Sequence, residues 1–312
     1  MDIPSENSGD LPSQKRILTV GTFDGVHLGH QKILQQIIQV GKEQNLLSTV
    51  ISFEPHPRLF FNPSDDLALL TTTKEKIDKL TEIGIKEVII IPFDKTFSNL
   101  SPFDYLKAFI KEKFNTQILV IGYDHSFGKG RVGNESMAKE IGKELDFEVI
   151  KIGPRSFDDA IISSTKIRKA IANGNIELAN NYLGYNYTLT GKIIEGQKLG
   201  RTIGFPTANI LLEPNKKALP KTGVYIVKSY LNGIYFWGMM NIGYKPTVSE
   251  ENKLSVEVHF LEFDKEIYDH TISIEVLYYL RNEQKFSSIE ELQKQIKVDF
   301  YDTLQYIKEQ EF

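Results

Sequence analysis

The hydrophobic period of this chain changes near residues 184–187, and that switch limits the fold more than any other feature. Upstream, beginning at Arg16, short apolar runs alternate with helical patterns: ILTV, HQKILQQIIQVGKEQ, STVISF, a helix near 74–83, VIIIPF, a helix near 103–113, ILVIG, a helix near 136–144 and FEVIKIG. Such alternation predicts crossover units on a parallel sheet. STKIRKAIANG and NIELANNYLG, each a helical stretch ending in Gly, close this half near Gly184. Downstream come β-rich segments, YTLTGKIIEG, FPTANILL, GVYIVKSYLNGIYFWGMMNIG, LSVEVHFLEF and TISIEVLYYL, the pattern of an antiparallel barrel. Asn232-Gly233 predicts a tight hairpin, because both residues tolerate positive φ, and an amphipathic helix near 288–308 follows the strands. The fold class is α/β: a parallel-sheet domain over 16–185, then an antiparallel β-barrel domain with a terminal helix over 186–312, after a mobile extension over 1–15.

A length of 312 residues exceeds one typical core, which agrees with two domains. The formal net charge of -4 lacks the basic footprint that broad nucleic-acid adhesion needs. With no Cys, thiolate nucleophiles, disulfides and Cys-ligated metal sites are excluded, which leaves oxygen and nitrogen chemistry. The opening MDIPSENSGDLPSQ is polar and acidic, and no apolar run approaches the roughly 18 residues of a spanning helix. The chain is expected to be cytoplasmic, with no nucleic-acid or membrane partner; its oligomeric state is not specified.

GTFDGVHLGHQ at 21–31 ends the first strand, turns on Gly and brings His27 and His30 to the start of a helix. Free backbone N–H groups and a dipole of about half a charge favour an anion there, and two imidazoles add donors. Asp24 orients the turn or helps to hold a cation; one His serving only as a helix cap is the plainer alternative. Position favours the phosphate site, since ligands of open sheets lie at the carboxyl ends of strands. ISSTKIR at 162–168 sets hydroxyls before another helix and Arg168 in its first turn, either a grip for polyphosphate or an N-cap with a solvated Arg.

SFEPHPR at 52–58 and GYDHSFGKGRVGN at 122–134 also follow strands. Phe53, His56 and Phe127 are candidates to border a ring ligand and Asp124 to accept from its polar edge, although each aromatic reads equally well as loop packing. Gly128, Gly130 and Gly133 fit G-x-G-x-x-G, but Gly128 lies six residues beyond Gly122 and no acidic residue closes FEVIKIG, so a dinucleotide turn is rejected. Lys129 followed by Gly130 also fails as a Walker A loop. The six His residues show no zinc pattern.

In GFPTAN at 204–209, Thr207 and Asn209 share one strand face by the period of two. A hydroxyl and an amide carbonyl are hard oxygen ligands, suited to Mg2+ carried with nucleotide phosphates. Glu257 and His259 share a face of SVEVHFLEF, and a carboxylate on an inward barrel face is costly unless paired, which makes Glu257 a candidate general base for a hydroxyl. Ordinary strand propensity and an outward-facing Glu257 stay open as alternatives. Gly191, Gly196, Gly200 and Gly204 either admit a nucleotide against the backbone or only turn the chain.

Together these segments closely resemble the prokaryotic bifunctional riboflavin kinase/FAD synthetases, with GTFDGVHLGHQ, FEPHPR, GYDHSFGKGRVGN, ISSTKIR, GFPTANI, GVYIV, NIGYKPTV, VEVH and LRNEQKF in family order. The resemblance runs from about Arg16 to the terminal helix. It implies a Rossmann-like nucleotidyltransferase domain that adenylylates FMN to FAD with release of pyrophosphate, and a barrel that phosphorylates riboflavin to FMN with ATP. It implies that Gly21, Phe23, Asp24, His27, His30, Ser164, Thr165 and Arg168 bind ATP in the first domain, with His27, His30 and Arg168 acting electrostatically on the reaction. Phe53, His56, Asp124 and Phe127 are then flavin-side residues. In the barrel it implies ATP binding by Gly191, Gly200, Gly204, Thr207 and Asn209, Mg2+ on Thr207 and Asn209, Glu257 as base and Arg281 on the flavin. His125 and Ser126 depart from the family pattern.

Three rival readings fit the sequence less well. A nucleotidyltransferase for another phosphorylated alcohol, with a non-catalytic flavin-binding barrel, leaves PTAN and VEVH without a purpose. A class I aminoacyl-tRNA synthetase requires a KMSKS segment that the chain lacks. A silent flavin sensor has no need of both catalytic sets.

Overall fold

The computed structural model describes residues 14–158, 160–196, 200, 203–212, 216–231, 234–245, 253–263 and 269–310. The extension before Gln14 and the hairpin turn expected at Asn232-Gly233 lie outside the described residues. The chain forms two compact units that divide between Ser164 and Thr165.

The first unit holds a five-stranded sheet of β1 (Arg16–Val20), β2 (Leu47–Glu54), β3 (Glu87–Pro92), β4 (Thr116–Gly122) and β5 (Glu148–Ile152), in the order β3-β2-β1-β4-β5. Every pairing is parallel, as the alternating pattern predicts. β1 is central and all of its residues are buried. Its alternation supplies both faces: Leu18 and Val20 join one apolar cluster, and Ile17 joins the other. Helix α1 (Leu28–Glu43) covers the Ile17 face with Leu34, Ile37 and Val40.

Two short helical turns, α2 (Pro57–Phe61) and later α4 (Lys95–Ser98), flank α3 (Thr73–Ile83). A reciprocal Thr72/Glu75 capping box opens α3, and Gly84 ends it at φ 111°. The helix expected near 103–113 is one α-turn, α5 (Pro102–Asp104), followed by a π-helix over Tyr105–Lys113. That wider winding turns Tyr105, Leu106, Phe109 and Ile110 inward together. Helix α6 (Glu135–Glu144) precedes β5, and β6 (Ser156–Phe157) pairs antiparallel with β7 (Ala160–Ile161). Because the chain leaves β1 for β2 and β3 on one side and reaches β4 and β5 on the other, the topological switch point lies between β1 and β4. Ligands of open sheets bind at the carboxyl ends of such a pair.

Helices α7 (Ser164–Ala172) and α8 (Ile176–Leu183) lead into a closed barrel of β8 (Tyr187–Ile194), β9 (Ala208–Leu212), β10 (Gly223–Leu231), β11 (Ile234–Lys245), β12 (Lys253–Phe260) and β13 (Thr271–Arg281). All its pairings are antiparallel, and β13 pairs with both β8 and β10, so the barrel has no free edge. Tyr187, Tyr225, Ile226, Met240, Val258 and Ile274 are among its most buried residues. Asn180 on α8 ties the helix to the barrel, accepting from Tyr187 N at 2.8 Å and donating to Val276 O at 3.0 Å. The terminal helix runs over Ile289–Gln310.

At the amino end of the sheet, Arg16 donates to Glu87 through Nε at 2.8 Å and Nη2 at 3.2 Å, and Thr49 Oγ1 adds a bond to the same carboxylate at 2.8 Å. Burial pushes the Glu87 carboxyl up, but the Arg16 and Thr49 hydrogen bonds and the Arg16 charge outweigh it and hold the group below its usual value of 4.5. Replacing Arg16 by Met should therefore destabilise the first unit by roughly 3 kcal/mol, the low end for breaking a buried pair. A depressed carboxylate contributes stability above its unfolded pKa and loses it as pH falls through the folded value. The difference between wild type and Arg16→Met in denaturant midpoint is thus expected to be full at pH 7 and to shrink below about pH 4.5. A difference that does not vary with pH contradicts the assignment.

Candidate functional site

The turn after β1 is held in a conformation that few sequences accept. Phe23 has φ 47°, Gly25 φ 83° and Val26 φ 37°, all in the left-handed region. Three anchors hold it. The buried Asp24 carboxylate accepts from Leu70 N at 2.9 Å and Thr71 N at 3.1 Å, while Gly25 N donates to Thr71 Oγ1 at 3.1 Å. Gln31 Nε2 donates to Val26 O at 3.0 Å. Ser164 Oγ donates to Asp24 O at 3.0 Å, so the ISSTKIR hydroxyl braces the turn. Asp24 is thereby seen as an organiser of the loop.

His27 caps α1: its Nδ1 accepts from His30 N at 3.3 Å. The cap alternative therefore describes the ring, and the two imidazoles also stack, with centroids 3.7 Å apart and planes at 14°. Phe23 lies against His30, centroids 5.1 Å apart. Gly29 packs closely beneath them: a Cβ there would stand 3.1 Å from the His27 ring. Burial, then the His27 and Lys76 charges, hold His30 well below the usual imidazole value, and its buried Nδ1 has no hydrogen-bond partner. An unpartnered polar atom at a helix N-terminus is suited to an anionic ligand.

Lys76 of α3 was not singled out in the sequence. It is 7% exposed, and its Nζ donates to Thr22 O at 3.1 Å and Ser52 Oγ at 2.9 Å. Its one legible sign is its place one turn before the buried Leu80, on the core stripe of α3.

On the flavin-side loops, Phe53 and Phe127 are both core rings. Phe53 meets Phe93 and Phe97 at 5.3 and 5.1 Å, and Phe127 stacks on Tyr105 at 5.3 Å. His56 caps α2, accepting from Arg58 N at 3.1 Å. Asp124 is exposed just beyond β4. His125 beside it is pushed down to about 4, chiefly by burial. Gly128 and Gly133 fit this loop closely: a Cβ on Gly128 would press on Pro102, and one on Gly133 on the Phe127 ring. Thr165 and Arg168 lie on α7, in the second unit.

In the barrel, Glu257 on β12 is the register partner of Asn209 on β9. Thr207 Oγ1 donates to Glu257 Oε2 at 3.4 Å, so the hydroxyl, amide and carboxylate gather at one place. His259 Nδ1 lies 2.8 Å from Pro206 O and ties the next pair of residues to the same strand start. Gly196 stands against the Asn209 amide and Gly200 against Phe205 O, while Gly191 packs on Ile210 and Leu211 across the β8–β9 pair. Gly204 has φ 83°. Arg281 grips the buried Asp299 of the terminal helix, Nε to Oδ1 and Nη2 to Oδ2, both at 2.7 Å. Among the described residues, no group of three His, Cys, Asp or Glu is arranged to hold a metal ion.

The FAD synthetase family model matches residues 11–166, and the riboflavin kinase family model matches residues 183–307. Proteins named bifunctional riboflavin kinase/FMN adenylyltransferase are similar over nearly the whole chain. The one from Buchnera aphidicola subsp. Acyrthosiphon pisum is 39% identical, covering 91% of this chain and 90% of its own. Those of Bacillus subtilis and Escherichia coli K12 are 37% and 35% identical, each covering 94% of this chain and 92% and 93% of their own. This chain belongs to the bifunctional riboflavin kinase/FMN adenylyltransferase family. It phosphorylates riboflavin to FMN and adenylylates FMN to FAD, with riboflavin, FMN and ATP as substrates. The reading with a silent barrel is not favoured. A solved structure described as a macrolide-efflux protein from Streptococcus pneumoniae matches with a TM-score of 0.85 at 30% identity, covering 94% of this chain and 95% of that one. Among the described residues of this family member, no helix is long and apolar enough to cross a membrane.

Gly196 gives a direct test of the barrel constellation. Gly196→Ala drives a methyl into the Asn209 amide, so riboflavin phosphorylation should fall by about 10²-fold, as expected for a misplaced ligand group, with FMN adenylylation unchanged. Steady-state rates of both reactions on one preparation check this.

Proposed function

We propose that the turn at 21–31 carries FMN adenylylation and that the Thr207–Asn209–Glu257 group carries riboflavin phosphorylation. The observation behind this division is that each unit has its own gathered set of groups suited to phosphate chemistry: an unpartnered His30 nitrogen at a helix N-terminus in one, and a hydroxyl, amide and carboxylate in register in the other.

In the first unit, FMN phosphate attacks the α-phosphorus of ATP in line, a P–O bond to FMN forms, the α–β bridge breaks and pyrophosphate leaves. His27, His30 and the N–H groups at the start of α1 serve the charge on the phosphates, with Gly21, Phe23 and Asp24 shaping the turn. Ser164 braces the loop, and Thr165 and Arg168 are assigned to ATP on their sequence motif. Asp124 and His56 are the flavin-side polar groups, while Phe53 and Phe127 support the loops that bear them.

In the barrel, Glu257 takes the proton of the terminal ribityl hydroxyl as that oxygen attacks the γ-phosphorus, and ADP leaves. Gly191, Gly200 and Gly204 admit the nucleotide, and Arg281, fixed by Asp299, meets the flavin. Thr207 Oγ1 and the Asn209 carbonyl supply hard oxygens that fit Mg2+, which would neutralise phosphate charge when bound with ATP. We place the enzyme in the cytoplasm, a reading that rests on the composition of the sequence.

Two variants test the division. Glu257→Gln should lower riboflavin phosphorylation by roughly 10²–10⁴-fold and leave FAD formation from FMN intact. His30→Ala should do the reverse. Parallel loss of both activities in either folded variant contradicts the assignment.

A further inference from the structure

The first unit contains a buried cation that the reaction as described leaves without a role. Lys76 is 7% exposed, and among the described residues it makes no ion pair. Its ammonium reaches Thr22 O and Ser52 Oγ, and Ser52 Oγ itself donates to Thr22 O at 3.1 Å, so α3, β2 and the turn after β1 meet at one carbonyl. Only two hydrogen bonds are made by a group with three donors. A buried ammonium is expensive unless its charge is offset; Asp24 and Glu54 offset only part of the cost of burial here, so an arriving anion stabilises it further. Asp24, the nearest carboxylate in the turn, is committed to Leu70 N and Thr71 N.

We propose that Lys76 is a positioning residue for FMN adenylylation: its buried ammonium fixes the Thr22–Gly25 turn and sets a positive charge beside His30, which the phosphates of bound ATP compensate. This rests on assigning adenylylation to the turn at 21–31. The charge acts through its neighbours. His27 and Lys76 face His30 and both oppose its protonation, while Asp24 and Glu54 face Lys76 and favour its charged form against burial. Removing the Lys76 charge therefore raises the His30 pKa. With neutral His30 as the working form, the acid-side inflection of FMN adenylylation moves to higher pH.

The test compares full-length wild type, Lys76→Met and Lys76→Arg in FAD formation from FMN and ATP across pH 5–8, with riboflavin phosphorylation measured on the same preparations. The proposal expects Lys76→Met to lose about 10²-fold in kcat/KM for FAD formation, the loss typical of a misplaced reacting group, and to shift the inflection upward. Lys76→Arg should keep the wild-type inflection and recover part of the rate, and phosphorylation should be unchanged in both. A folded Lys76→Met within about threefold of wild type overturns the proposal, and so does a rate loss with an unmoved inflection, which is what a purely structural lysine gives. If the Met variant fails to fold, Lys76→Gln, which keeps a polar group for Thr22 O without the charge, carries the same two readouts. Wild type that makes no FAD refutes instead the adenylylation reading on which this rests.

Discussion

The Asp24 carboxylate, buried at 3% exposure and accepting the backbone N–H groups of Leu70 and Thr71, is the contact on which the first site depends. Together with the Gly25, Gln31 and Ser164 hydrogen bonds it holds Phe23 and Val26 in the left-handed region, which their side chains do not favour. The turn it fixes sets where α1 begins, and hence where the His27 ring caps that helix and where His30 stacks upon it. The proposed phosphate role of this turn rests on backbone geometry: a central strand buried on both faces ends at the switch point, and its loop is tied to the segment preceding α3. A helix N-terminus there favours an anion, and the imidazoles lie beside it.

The barrel reaches a comparable result by register. β9 and β12 pair so that Asn209 faces Glu257, and the strand start at Pro206 and Thr207 is drawn to the same pair by His259 and by the Glu257 carboxylate. Closure through β13 removes every edge that could slip, which keeps the pairing in place. FMN, the product of riboflavin phosphorylation, is the substrate of adenylylation, and that chemical relation gives a reason for one chain to carry both activities.

Hydrophobic period and motif order made most of this legible in advance. ILTV, STVISF, VIIIPF, ILVIG and FEVIKIG became the five parallel strands, and the β-rich half became the barrel. Contacts set by tertiary packing were not legible. In TKEKIDKL, Lys76 reads as one of several helical lysines, and only packing against Thr22 O and Ser52 distinguishes it. The π-helix over Tyr105–Lys113 keeps an ordinary helical composition, and only its inward-facing pairs Tyr105–Leu106 and Phe109–Ile110 betray the wider turn. Asp299 could not be matched to Arg281 because its partner lies on another element, 18 residues away. The aromatics Phe53 and Phe127 fit their motifs, yet their ring contacts are with the core.

The central claim is that one chain carries two consecutive phosphate reactions on two separate constellations. Incubating it with riboflavin, ATP and Mg2+ and resolving riboflavin, FMN and FAD over time tests that claim most directly. The account predicts that FMN appears first and is then converted to FAD, with FAD forming at once when FMN is supplied directly. FMN that accumulates with no FAD would contradict it.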